Sequence, residues 1–100
     1  MEGYLRFLYE DSKYIVYLDK DYTMIKYDNI RERSINVRLI VFDKIRNEER
    51  PLFINVVYNK YNQVYKINYD YITQLSVDFI SMKNHLNNNN EFRNILLTVI

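Results

Sequence analysis

The sequence predicts an α+β fold: a mainly antiparallel sheet or partial barrel of six to seven strands, with one C-terminal amphipathic helix over about residues 70–86. Two observations carry this. Apolar residues alternate with period two through the first two-thirds of the chain, as half-buried strands do. At Asp70 the spacing changes. Ile72, Leu75, Phe79, Met82 and Leu86 then recur at intervals of three and four, which places them on one face of a helix. A chain of 100 residues with one such pattern forms a single domain, 1–100.

Each element follows in order. Tyr4 to Tyr9 alternates and reads as the first strand. Glu10 to Lys13 is a polar turn, and Tyr14 to Leu18 is the hairpin partner. Asp19-Lys20-Asp21 reads as a second turn, with Thr23 to Tyr27 as a third strand. A charged loop fills residues 28–34. Ile35 to Phe42 then sets Ile35, Val37, Leu39 and Val41 on one face. Beyond a polar connection, Leu52, Ile54 and Val56 alternate in the same way, so the two strands are expected to share a buried face. Asn59 to Asn62 forms a turn, and Val64 to Tyr69 is the sixth strand. Asp70 suits a helix N-cap, and the asparagines from Asn87 to Asn90 stop the helix. Residues 92–100 fit two periods: Ile95, Leu97 and Val99 alternate like a strand, while Phe92, Leu96 and Val99 fit a helix, and the β-branched end favours a last strand.

Composition narrows the function. Phe, Tyr, Met, Ile, Asn and Lys fill 51 of the 100 positions, while alanine, cysteine and tryptophan are absent and glycine and proline occur once each. Those six residues have AT-rich codons, so the bias points to an AT-rich genome and fits a phage, a virus or a mobile element. Lack of cysteine excludes a disulfide framework, a thiol nucleophile and a cysteine zinc site. A single histidine, His85, is too few for the usual zinc sets, and Asp19, Asp21 and Asp28 read as solvated turn residues. No metal and no cofactor are expected. Ser81 and His85 lie four apart on the predicted helix but lack a nucleophile elbow. One glycine, Gly3, cannot build a phosphate loop. The first ten residues carry Glu2, Arg6 and Glu10 and do not read as a signal peptide. Neither a membrane span nor an Asn-x-Ser/Thr sequon occurs, so a cytoplasmic location, in the host cytosol, is expected.

What remains is surface. The expected function is that of a small non-enzymatic protein that binds, and inhibits or modulates, a host protein such as a defence factor. Tyrosine supplies large contact area at low entropic cost. Tyr17, Tyr61 and Tyr71 are the candidate anchors, with Arg31, Arg33 and Arg46 as charged contacts. The alternative is a nucleic-acid-binding accessory protein using the basic segment 31–50. Its arginines are interleaved with Glu32, Asp43, Glu48 and Glu49, which argues against an uncompensated phosphate patch. A homodimer is compatible with the same composition.

Overall fold

The structure, a computed structural model, describes residues 3–69 and 77–100. Five strands form one antiparallel sheet in the order β1-β2-β3-β4-β5. They are β1 (Leu5–Glu10), β2 (Tyr14–Asp28), β3 (Glu32–Asp43), β4 (Glu48–Asn59) and β5 (Val64–Asn68). Two helices follow, α1 (Val77–Asn87) and α2 (Asn90–Val99). Every sheet neighbour is a sequence neighbour, so the strands run as a simple meander with β1 and β5 at its edges. No helix of the described residues is long and apolar enough to cross a membrane.

The turns explain how a chain with one glycine makes hairpins. Each is opened by an Asp or Asn whose side-chain oxygen accepts the backbone N–H groups two and three residues on. Asp11 accepts from Lys13 and Tyr14. Asn29 accepts from Arg31 and Glu32, Asp43 from Ile45 and Arg46, and Asn59 from Tyr61 and Asn62. Asn47 and Gln63 close the last two turns with φ of 56° and 57°.

The shared face of β3 and β4 forms as the alternation predicts. Ile35 stands opposite Val56, Val37 opposite Ile54, and Leu39 opposite Leu52, all of them buried. Tyr14, Val16 and Leu18 extend this face into β2, and Tyr65 and Ile67 into β5. Phe79, Met82 and Leu86 of α1 and Phe92 and Leu96 of α2 belong to the same core. Asp70, Ile72 and Leu75 of the predicted helix, and the candidate Tyr71, lie outside the described residues.

Three expectations are corrected. Among the described residues the sheet has five strands and is open, because residues 14–28 make one strand where two were expected. Asp19-Lys20-Asp21 does not turn the chain. One Asp19 oxygen accepts the Asp21 N–H, as a turn would require, but the other accepts the Arg38 guanidinium at 2.9 Å. That ion pair pins Asp19 in the sheet, 1% exposed, and the surplus residues form a bulge between Asp19 and Met24. Residues 92–99 are helical, so the described residues hold two helices instead of one. Asn89 caps α2 by accepting the Phe92 N–H at 2.8 Å. Phe92 and Leu96, four apart, are both fully buried, and this helical pairing outweighs the alternation of Ile95, Leu97 and Val99.

Candidate functional site

The two ends of the sheet differ. At one end, the β1–β2 turn and the β3–β4 turn lie side by side, joined by the Lys44 N–H to the Lys13 carbonyl. The helices anchor here. Asp11 accepts from Tyr9 Oη at 2.8 Å, and His85 Nε2 of α1 lies 2.6 Å from the same carboxylate oxygen. Asn89, the cap of α2, donates to Tyr9 Oη at 2.6 Å. Burial, the largest single influence on the Asp11 carboxyl, pushes its pKa up. Hydrogen bonds from His85, the Lys13 and Tyr14 amides and Tyr9 together outweigh it and hold the group well below the usual carboxylate range. Asp11 therefore links the first hairpin to both helices. The pairing of His85 with Asp11 gives the histidine a structural task, and Ser81 is exposed on the surface of α1.

At the opposite end, among the described residues, the β2 side of the sheet is uncovered, while on the β5 side Arg93 of α2 donates to the Tyr65 carbonyl. Among the described residues, eleven large apolar side chains are exposed, and seven of them lie here: Tyr22, Met24, Ile25, Tyr27, Ile30, Tyr61 and Val64. Ile25 sits beside buried Ile35 yet is 62% exposed, so core cover stops at this point of the sheet. Monomers rarely gather exposed apolar groups in this way without a use for them.

This end is organised despite its exposure. The Asn29 and Asn59 turns are locked by their own side chains. The Lys60 N–H donates to the Arg31 carbonyl at 2.8 Å and joins the two turns. Lys60 Nζ reaches Asp28 at 2.6 Å and also donates to the Asn29 carbonyl. The ammonium and Arg33 hold the Asp28 carboxyl below its usual range. Asn29, Arg31, Glu32, Asn59 and Tyr61 line a shallow polar groove between the turns. Tyr61 (77% exposed) and Ile30 (86% exposed) stand on this framework. Arg31 makes no ion pair among the described residues.

The candidate residues read from sequence separate accordingly. Arg31 and Tyr61 come together in the groove, and Arg33 lies near them. Arg33 is engaged, however, with its Nε 3.3 Å from Asp28. Arg46 lies at the other end, roughly 36 Å away along β3 at about 3.3 Å per residue, and pairs with Asp43 at 3.0 Å. Tyr17 is half-buried, its ring edge-on to Phe7 at 6.1 Å, so it is sheet packing rather than a free anchor. Most of the basic segment is likewise neutralised: Arg38 by Asp19, Lys44 by Glu10, Arg50 by Glu48.

Tyr22, Met24, Ile25, Tyr27 and Ile30 were not among the residues the sequence singled out. Their signal was present, since Met24 and Ile25 are adjacent apolar residues that cannot both face one core. No protein-family model matches this chain, and no curated protein or solved structure shows significant similarity to it.

Proposed function

We propose that this is a small non-enzymatic binding protein whose protein partner docks on the bare end of the sheet. One observation carries the reading: most of the exposed apolar side chains gather at the end that the helices leave uncovered, around two turns held rigid by hydrogen bonds. Tyr61 and Ile30 would serve as apolar anchors, and Arg31 as an uncommitted cation. Preorganised turns lower the ordering cost of association. The AT-rich coding bias makes a host factor the expected class of partner, and inhibition or modulation the expected consequence. The nucleic-acid alternative is disfavoured by the acid partners of Arg33, Arg38, Lys44, Arg46 and Arg50, which leave few charges to displace counterions.

Affinity capture from host lysate, with and without nuclease, tests the reading. The expected result is a protein captured by the native chain, insensitive to nuclease, and lost with Tyr61→Ala combined with Ile30→Asp. Capture that survives both substitutions, or that vanishes with nuclease, would refute it.

A further inference from the structure

The bare end includes an unpaired strand edge. β1 pairs with β2 only as far as Leu5 opposite Asp19, and the last contact is the Lys20 N–H to the Tyr4 carbonyl. Beyond Lys20, β2 meets β3 alone, with Met24, Ile25, Tyr27 and Asp28 in register and residues 20–23 in the bulge. Among the described residues nothing pairs with its outer edge. Backbone donors and acceptors there are open to another chain. Exposed Tyr22, Met24, Ile25 and Tyr27 flank them on both faces.

Charge selects the occupant. Lys20, Lys26 and Arg31 lie along this edge and its turn, and none makes an ion pair among the described residues. Opposing them are Asp21 and Glu32, whose carboxylate accepts from Tyr27 Oη, since Asp28 is already held by Lys60 and Arg33; three cations face two acids, and the edge keeps a net positive charge. A second copy would set the same net positive edge against itself. The register breaks at Asp19/Met24 and Ile25/Tyr27 also bar a long, flat pairing of two sheets. A short extended peptide is not barred, and an acidic one is attracted.

We infer that the outer edge of β2, from Tyr22 to Tyr27, accepts an extended acidic segment of the protein partner as an added strand. Main-chain hydrogen bonds would supply affinity, and contacts with Met24, Ile25 and the flanking lysines would supply selectivity. This rests on the protein-binding reading above and specifies the partner chemistry at that end.

The test titrates the isotope-labelled chain with three probes and follows its amide resonances. The probes are a capped peptide of alternating glutamate and valine, its lysine-and-valine counterpart, and a twelve-residue oligothymidylate. The glutamate peptide is expected to shift residues 22–27 selectively and to slow exchange of their outward amides. Lys20→Glu with Lys26→Glu should weaken it at least ten-fold; both lysines are exposed, so a dispersed spectrum confirms that this variant is folded. Absence of shifts at 22–27, equal binding of the lysine peptide, or tighter binding of the oligothymidylate there would overturn the proposal. Capture that still depends on Tyr61 and Ile30 but is indifferent to the two lysine substitutions would overturn it while leaving the protein-binding reading intact.

Discussion

Asp19→Ala probes the feature that most changed the architecture. The carboxylate is 1% exposed, accepts the Arg38 guanidinium at 2.9 Å and accepts the Asp21 N–H. Arg38 lies between the Tyr22 and Phe53 rings, 4.9 and 5.8 Å from their centroids. Its buried Nε has no hydrogen-bond partner among the described residues. Removing one member of a buried ion pair costs about 3–5 kcal/mol. Because Arg38 keeps 28% of its side chain exposed and can turn its free end to water, the lower part of that range applies here. The expected loss is about 3 kcal/mol, including the stranded Asp21 amide at about 1 kcal/mol. For a domain of this size that is a large share of about 5–15 kcal/mol, and lowers Tm by roughly 12–24 °C. Urea unfolding followed by circular dichroism, with the m-value checked for constancy, measures it. Asp19→Leu combined with Arg38→Met removes both charges and should recover most of the loss. A single variant within about 0.5 kcal/mol of the native chain, the usual range for an exposed site, would show that Asp19 occupies a solvated turn and that the bulge reasoning is wrong.

Other outcomes follow from the same structure. Leu96→Ala in α2 should cost about 2–5 kcal/mol in the same urea assay, whereas a surface strand at 92–100 would lose far less. The Asp11 carboxyl is depressed in the folded state, so its contribution is full above the unfolded pKa of about 4 and is lost as pH falls through the folded value. Asp11→Asn should therefore destabilise at pH 6 but show a flatter decline below pH ~4 than the native chain; parallel declines would refute this. Burial pushes the Tyr69 hydroxyl up to about 12, against a partial opposing pull from Arg93, and the hydroxyl has no hydrogen-bond partner among the described residues. Tyr69→Phe should be neutral or stabilising by up to about 1 kcal/mol, and a clear destabilisation would reveal a partner. Tyr61→Ala should leave stability within about 0.5 kcal/mol while lowering partner affinity by about 1–3 kcal/mol. Tyr17→Ala should instead lower stability, because its ring packs on Phe7.

Periodicity alone determined the antiparallel α+β class, the shared face of β3 and β4, and the burial of Phe79, Met82 and Leu86. Strand alternation and helical spacing are local properties, and these residues obey them without conflict. The turns at Asp11 and Asn59 were legible for the same reason, since an Asx side chain bonds amides two and three residues away, whereas the turns at Asn29 and Asp43 lay hidden in a longer loop and connection whose flanks the sheet takes up as strand. Contacts remote in sequence decided the rest. Asp19 looks like those turn residues, and only Arg38, nineteen positions on, holds it in a strand. Residues 92–100 satisfied both periods, and the core that receives Phe92 and Leu96 chose the helix. The candidate site was the least legible part. Whether Arg31 is free while Arg33 and Arg46 are neutralised depends on which acid the fold sets beside each. Adjacency shows that Met24 and Ile25 cannot both face one core, but that both are exposed depends on where β1 ends and how far the helices reach, which their own segment does not encode.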